Sequence, residues 1–224
     1  MDQEIIIDYN RVDSIDNSLL VNFIGRSDHK KIVNKDAGQE HYKLLRYLSQ
    51  QFTSGLIVEL GTHHGTSAVA LGIDQKNKII TYDVSSGRFG CALPDNVVRR
   101  LGNIFDLNEE SILLKANFIF LDTAHLGDFE YRVYEYLRDN NYKGFIVYDD
   151  ILEYSEMREF WNKIPDISDY HFKYDITSVG HYSGTGLVDF SRRVKINLPT
   201  YKPAKAIREI QSPDYIDEWL EDGD

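Results

Sequence analysis

An acidic residue, a short turn with a glycine at each end and a second acidic residue stand in this chain at a spacing that suits cofactor binding. Glu59 lies near the end of the apolar run 56–60, the turn covers 61–65, and Asp83 comes 22 residues after Gly61. A strand, a tight turn and a helix in this order place backbone N–H groups and a helix N-terminus at the edge of a parallel sheet. We therefore expect a cofactor to bind at this turn.

The spacing of the glycines indicates the class of cofactor. A dinucleotide fingerprint needs a middle glycine that lets a pyrophosphate contact the backbone, but His63 occupies that place between Gly61 and Gly65. The pattern therefore favours a cofactor that has a ribose and lacks phosphates. Asp83 is placed to accept hydrogen bonds from both ribose hydroxyls. The alternative is an α/β domain without a nucleotide, in which the glycines only permit a tight turn.

Three further carboxylates end two other apolar runs. Asp122 follows the run 118–121, and Asp149 and Asp150 follow the run 145–148. Adjacent parallel strands end about 5 Å apart, so these side chains are expected to converge and to repel one another. A hard divalent cation with oxygen ligands, such as Mg²⁺, would remove that repulsion. The alternative is that the three residues cap turns through hydrogen bonds to the backbone.

The elements that would position these residues alternate between strand and helix, which predicts a parallel sheet covered by helices on both faces. Strands are predicted at 56–60, 78–84, 97–104, 117–122, 144–150, 172–179 and 186–190. Helices are predicted at 40–51, from 66 onward, at 106–115, at 127–139 and around 157–164. The last two strands flank a turn that contains glycine and serine, so we expect them to form an antiparallel hairpin.

The chain is expected to form a single domain of 224 residues. Its parts would be an irregular N-terminal cap (1–38), a catalytic core (40–190) and an acidic C-terminal tail (195–224). The tail also carries apolar side chains that would suit docking on a second copy of the chain, so a homo-oligomer is a further expectation.

Composition excludes several functional classes. The formal net charge is −11, whereas nucleic-acid binders usually present a basic face, so no nucleic-acid partner is expected. The apolar runs are too short for a membrane span. The single cysteine, Cys91, excludes an internal disulfide framework and a zinc site built from several cysteines. The acidic start does not fit a signal peptide, and a soluble cytoplasmic protein with a small-molecule substrate is expected.

Three segments resemble conserved segments of class I S-adenosylmethionine-dependent methyltransferases. Residues 59–67 (ELGTHHGTS) resemble the first motif, 81–83 (TYD) resemble the strand end that binds the ribose, and 101–104 (LGNI) resemble the segment that flanks the adenine. The resemblance implies a three-layer, Rossmann-like α/β fold with a mostly parallel seven-stranded sheet and a C-terminal antiparallel hairpin. It also implies that S-adenosylmethionine is bound through Glu59, Gly61, Thr62, Gly65, Thr66, Ser67, Asp83, Asn103 and Ile104.

The acidic residues resemble those of the metal-dependent O-methyltransferases, and more closely the branch that acts on sugars and antibiotics. That resemblance implies metal ligands at Asp122, Asp149 and Asp150. It also implies that His125, three residues after the first of these, is the general base, with Asp122 beside it in the catalytic centre. An imidazole suits this role because its pKa lies near neutrality. His181 lies in the predicted closing turn and is a candidate to line the pocket that binds the methyl acceptor.

The predicted function is transfer of a methyl group from S-adenosylmethionine to a hydroxyl of a small molecule or sugar, assisted by Mg²⁺ or another divalent cation. Catalysis would depend on holding the acceptor oxygen in line with the methyl group. Two alternatives stay open: an oxidoreductase on the same fold, similar to the cephalosporin-hydroxylase-like proteins, and a non-catalytic module that binds S-adenosylmethionine.

Overall fold

Seven strands form one twisted sheet at the centre of the protein. The computed structural model describes residues 4–25, 30, 33, 36–86 and 89–199, the side chains of 36–40 excepted. The strands of the sheet are β2 (Leu56–Leu60), β3 (Lys78–Asp83), β4 (Val97–Leu101), β5 (Phe118–Leu121), β6 (Phe145–Tyr148), β7 (Phe172–Asp175) and β8 (Gly186–Asp189).

The strand order is β4-β3-β2-β5-β6-β8-β7. Neighbouring strands from β4 to β6 are parallel, and β8 runs antiparallel to both β6 and β7. This arrangement confirms the predicted sheet and its closing hairpin. The chain order reverses at β2, which pairs with β3 on one side and with β5 on the other. Ligands of open α/β sheets bind at such a reversal, outside the carboxyl ends of the strands.

Helices cover both faces of the sheet. They are α1 (Tyr9–Asp13), α2 (Asp36–Gln50), α3 (Thr66–Gly72), α4 (Asp128–Asp139) and α5 (Ser155–Lys163). Apolar side chains of α2 and α3 pack on one face of the sheet, and those of α4 and α5 pack on the other. Among the helices that the structure describes, none is long and apolar enough to cross a membrane.

Strands β5 and β6 show why the central prediction succeeds. All residues of Phe-Ile-Phe-Leu in β5 and Phe-Ile-Val-Tyr in β6 are buried. Alternate residues belong to the two apolar cores, one on each face of the sheet. A strand that is buried on both faces has a continuous apolar sequence. Such a run can be recognised in the sequence and identifies the strand.

The two ends of the described chain differ from expectation. Four residues of the predicted irregular cap form β1 (Ile5–Asp8), which pairs in parallel with β9 (Val194–Asn197), at the start of the predicted tail. Ile5, Ile7 and Val194 are buried in the core that contains α2 and α3. Strands this short carry little periodicity, and their partner lies far away in sequence. Residues 200–224, which hold the rest of the predicted tail, lie outside the described residues, and the division into cap, core and tail stays a prediction.

The segment after β3 and β4 also differs in detail. Strand β4 ends at Leu101, not at residue 104, because Gly102 leaves the ladder with φ +134° and donates its N–H to the carbonyl oxygen of Asp83. The predicted helix at 106–115 is a 3-10 helix that covers only Glu110–Lys115. Both changes shape the chain next to the predicted adenine segment.

Candidate functional site

The predicted cofactor turn is held tightly at the carboxyl end of β2. Gly61 has φ +101° and Gly65 has φ +91°, in the region that favours glycine. The N–H groups of Gly61 and Thr62 both donate to the carbonyl oxygen of Tyr82, at 2.8 and 3.2 Å. These two hydrogen bonds hold the turn against the end of β3.

Asp83, at the end of β3, supports the same turn from the side. One of its carboxylate oxygens accepts a hydrogen bond from the N–H of His63 at 2.6 Å, and the other accepts from the N–H of Ser85 at 2.7 Å. A carboxylate oxygen has two lone pairs, so each oxygen retains one for a further donor. The side chain is therefore held in one orientation and is partly exposed.

Glu59 lies beneath the turn and is fully buried. One carboxylate oxygen accepts a short hydrogen bond from the hydroxyl of Thr81, and Thr81 is also 2.5 Å from the hydroxyl of Thr62. The other oxygen of Glu59, Oε1, has no hydrogen-bond partner among the described residues. Burial raises the pKa of Glu59 to about 8, against the opposing effect of its hydrogen bonds.

The first turn of α3 lies directly after Gly65. Thr66 and Ser67 are both buried, and Gly65 precedes the helix without a side chain that could cap it. The ring of Phe89 lies over Gly65, where an added Cβ would be 2.6 Å from Cε2 of that ring. The predicted loop 85–96 therefore returns to cover the cofactor turn.

The two residues predicted to flank an adenine differ in their placement. Asn103 is partly exposed beside Asp83, but its side-chain oxygen accepts a hydrogen bond from the N–H of Phe105 at 2.9 Å. Ile104 is only 1% exposed and packs in the apolar core. Of this pair, Asn103 keeps an exposed surface and Ile104 is buried in the core, so the assignment of both to the adenine stays a prediction.

The predicted metal ligands converge at the same edge of the sheet. The N–H of Asp122 donates to the carbonyl oxygen of Leu60, and the N–H of Asp149 donates to that of Leu121, which fixes the residues that follow β5 and β6. The backbone turns at Asp150, which has φ +55°. Asp149 and Asp150 are buried, whereas the Asp122 side chain is 31% exposed.

His125 lies between two of these carboxylates. Its Nε2 is 3.2 Å from Oδ1 of Asp122 and 3.5 Å from Oδ2 of Asp150. Burial alone would lower the pKa of His125, but the neighbouring carboxylates of Asp122 and Asp150 raise it to about 10. With φ +56°, His125 sits at a turn that aims its ring back at the cluster. His125 therefore lies beside both carboxylates, and its raised pKa keeps the ring protonated at neutral pH.

His181 and Ser183 approach Asp150 from the turn before β8. Nδ1 of His181 lies 2.9 Å from Oδ1 of Asp150, and the hydroxyl of Ser183 donates a short hydrogen bond to the same oxygen. The turn is held there because the N–H groups of Ile151 and Leu152 donate to its carbonyl oxygens. Although burial opposes it, the charge of Asp149 raises the pKa of His181 to about 9.

His41, which belongs to none of the sequence motifs, lies in α2 and completes the cluster. Its Nδ1 is 3.7 Å from Oδ1 of Asp149, and both atoms are buried without a hydrogen-bond partner in the described part of the chain. Burial lowers the pKa of His41 to about 4, so its ring is neutral. His41 stands one turn before Leu44 and Leu45 on the buried stripe of the helix, and a histidine in that place is the signal that could have revealed it.

Two overlapping groups of side chains can each surround a small cation. In both groups, one ligand atom from each residue lies within 4.8 Å of the others. The first group is His41, Asp122 and Asp149, and the second is Asp149, Asp150 and His181. Asp149 belongs to both. Burial and the neighbouring charge of Asp150 raise the pKa of Asp149 well above its usual range.

Solved structures that align with this chain include several O-methyltransferases. An O-methyltransferase from Bacillus cereus in complex with SAH aligns at a TM-score of 0.56 and 19% identity, over 81% of this chain and 96% of that one. TomG from Streptomyces achromogenes, an O-methyltransferase of tomaymycin synthesis in complex with SAM, aligns at 0.55 and 18%, over 79% and 91%. CalS11, a TDP-rhamnose 3'-O-methyltransferase of calicheamicin biosynthesis, aligns at 0.50 and 12%, over 81% and 92%.

The sequence itself matches no protein-family profile and no curated protein. At these identities the structural likeness establishes the fold alone. The chain therefore has the three-layer, Rossmann-like fold of the class I S-adenosylmethionine-dependent methyltransferases, as its sequence motifs predict.

Proposed function

We propose that this chain is an S-adenosylmethionine-dependent O-methyltransferase that acts on a hydroxyl of a small molecule or sugar with the help of a divalent cation. The observation that carries the proposal is the direct contact between the cofactor turn and the acidic cluster. Gly61 packs against the backbone carbonyl of Asp122, so a cofactor at the turn and a cation at the cluster would be neighbours. A methyl donor and an activated hydroxyl need that proximity.

The cofactor half of the proposal rests on Asp83 and Glu59. Asp83 is held by two backbone N–H groups and can accept the hydroxyls of a ribose. Glu59 keeps one buried oxygen without a partner in the described structure, directly under the turn. Two structures with this fold hold SAH and SAM, which supports the same cofactor here.

The residues of the acidic cluster fit a divalent cation. Asp149 shares one candidate cation position with Asp122 and a second with Asp150, and its buried oxygen Oδ1 lacks a hydrogen-bond partner in the described residues. Asp122, Asp149 and Asp150 would hold the ion. A bound divalent cation would supply positive charge that lowers the pKa of a hydroxyl beside it.

His125 would accept the proton of the acceptor hydroxyl. Its raised pKa comes from uncompensated carboxylates, so neutralising those charges lowers the pKa toward the ordinary value of an imidazole. The neutral ring then becomes a base at Nε2, the atom that lies 3.2 Å from Oδ1 of Asp122. The ring of Tyr154 stacks on His125 with centroids 5.9 Å apart, which helps to keep the imidazole oriented.

The proposal is tested by incubating the purified chain with S-adenosylmethionine and a panel of hydroxylated sugars and small phenols. We expect S-adenosylhomocysteine and a methylated product by mass spectrometry, with activity that falls in EDTA and returns with a divalent cation. Asp149→Asn should remove most of the activity, whereas Asp139→Asn, at the exposed end of α4, should retain it. An oxidised product would favour the hydroxylase-like alternative, and cofactor binding without turnover of any acceptor would favour a non-catalytic module.

A further inference from the structure

We propose that His41 and His181 are ligands of the metal centre, and that this centre binds an ion with affinity for imidazole, such as Fe²⁺, Co²⁺ or Zn²⁺, in preference to Mg²⁺. The inference deepens the proposed metal site and does not depend on which substrate is methylated. Its basis is the placement of two imidazole nitrogens at opposite oxygens of one buried carboxylate.

Asp149 is that carboxylate. Its Oδ1 is 3.7 Å from Nδ1 of His41, and its Oδ2 is 3.8 Å from Nδ1 of His181. These distances exceed a hydrogen bond. They approach the separation of two ligands that share one cation at metal–ligand distances of about 2.0–2.2 Å. Each imidazole also reaches a second carboxylate, Asp122 for His41 and Asp150 for His181.

A histidine elsewhere in the same chain shows what a purely structural role requires. His171 is fully buried, and both ring nitrogens have partners: Nδ1 lies 2.9 Å from the hydroxyl of Ser168 and Nε2 lies 3.0 Å from the carbonyl oxygen of Pro165. His41 is 6% exposed, yet its Nδ1 has no hydrogen-bond partner within the described residues. A buried polar atom without a partner is destabilising, and a role as a metal ligand accounts for the placement of this nitrogen.

The packing around His41 holds its ring in this position. The ring lies 5.2 Å from that of Phe120 and 5.3 Å from that of Tyr42, between centroids. The rings of His41 and His181 are 5.6 Å apart at their centroids. Packing therefore holds both imidazoles close to each other and to Asp149, as a preformed metal site needs.

The donor set selects the type of ion. Mg²⁺ is a hard cation that takes oxygen ligands and retains several waters. Imidazole favours Fe²⁺, Ni²⁺, Cu²⁺ and Zn²⁺ among the divalent ions. A site built from carboxylates alone would suit Mg²⁺, and the addition of His41 and His181 changes that preference.

The test uses Co²⁺ and Mg²⁺ as probes on the full chain after removal of metals by a chelator. Calorimetry gives the two affinities, and the visible absorption of Co²⁺ reports a change in its ligands. The variants are His41→Asn and His181→Asn, in which the side-chain oxygen can take the place of Nδ1. The control is His171→Asn, which removes a buried imidazole away from the site. Thermal melting and the affinity for S-adenosylmethionine are measured for each protein.

We expect the wild-type chain to bind Co²⁺ more tightly than Mg²⁺. His41→Asn should lower the ratio of the Co²⁺ affinity to the Mg²⁺ affinity by about tenfold or more and should shift the Co²⁺ spectrum, as should His181→Asn. The control should keep the wild-type ratio and spectrum. An affinity ratio and a Co²⁺ spectrum that are the same in wild type, His41→Asn and His181→Asn would overturn the inference.

The same samples separate this inference from the proposed function. A metal site that selects Mg²⁺ with carboxylates alone would refute the imidazole ligands and leave the methyltransferase proposal intact. Failure to bind S-adenosylmethionine, with Co²⁺ binding that depends on His41, would refute the methyltransferase proposal and leave the ligand assignment intact. If one asparagine variant does not fold, the other still decides the question, because each imidazole contacts Asp149 independently.

Discussion

Gly61 and Asp122 contact each other through their backbones. A Cβ atom at residue 61 would overlap the carbonyl oxygen of Asp122, and the N–H of Asp122 donates to the carbonyl oxygen of Leu60 at 2.9 Å. The candidate cofactor turn and the first candidate metal ligand therefore form one backbone unit. A change at either residue is expected to affect both halves of the site.

Gly61→Ala tests this coupling. The substituted residue would keep an unfavourable positive φ and would push Asp122 away, so we expect a loss of more than about 3 kcal/mol in the free energy of unfolding. Chemical denaturation measures that loss, and calorimetry should show weaker binding of both S-adenosylmethionine and Co²⁺. Wild-type stability together with wild-type affinity for both ligands would show that the contact is unimportant.

Asp83→Ala is expected to abolish measurable binding of S-adenosylmethionine. The substitution removes both acceptors for the ribose and also releases the N–H groups of His63 and Ser85. Two hydrogen bonds to a charged group contribute roughly 1.5–3 kcal/mol each, so the affinity should fall at least a hundredfold by calorimetry. Asp95→Ala, at an exposed turn before β4, is the matched control and should bind like wild type. Unchanged affinity in Asp83→Ala would remove the ribose assignment.

Glu59→Gln is expected to stabilise the ligand-free chain at high pH. The folded pKa of about 8 exceeds the ordinary value of 4.5, so the folded state holds a proton that the unfolded state has lost. Stability therefore falls as the pH rises from 4.5 to 8, by up to about 1.4 kcal/mol for each pH unit. Glutamine retains an acceptor for Thr81 and does not ionise. Denaturation curves at pH 5 and pH 9 should show a gain for the variant only at the higher pH, and an equal effect at both would contradict a raised pKa.

His125 should change its protonation when a divalent cation binds. In the metal-free chain the neighbouring carboxylates raise its pKa to about 10, so the ring is charged at pH 7.5 and becomes neutral only in alkali. A bound cation offsets the negative charge of those carboxylates, so the pKa of His125 should fall by more than one unit. NMR titration of the imidazole protons measures the pKa of His125 in the presence and in the absence of Zn²⁺. The His125→Gln variant assigns the signal. A metal-free pKa near 6.5 would contradict the proposed environment of the ring.

The sequence predicts the central sheet well because its strands carry the information locally. Strands β5 and β6 are continuous apolar runs, and Asp122, Asp149 and Asp150 follow them directly, so their convergence follows from parallel pairing. Asp83 and the turn 61–65 are predictable for the same reason. Each of these residues occupies the carboxyl end of a strand that is buried on both faces.

Other features depend on contacts that no local pattern encodes. Strands β1 and β9 are four residues long and pair across most of the chain. His41 reaches Asp149 because α2 packs on the sheet in one particular position, and Ser183 reaches Asp150 because its turn is fastened to residues 151 and 152. The packing of Ile104 in the apolar core is likewise not readable from the four-residue segment that contains it.

The most direct test of the account is a crystal structure of the chain grown with S-adenosylhomocysteine and Co²⁺, with anomalous data collected at the cobalt edge. The account predicts ribose hydroxyls on Asp83 and an anomalous peak among Asp122, Asp149 and Asp150, with the sulfur of the cofactor facing that ion. A cofactor bound away from the turn 61–65, or the absence of an anomalous peak within coordinating distance of these carboxylates, would contradict it.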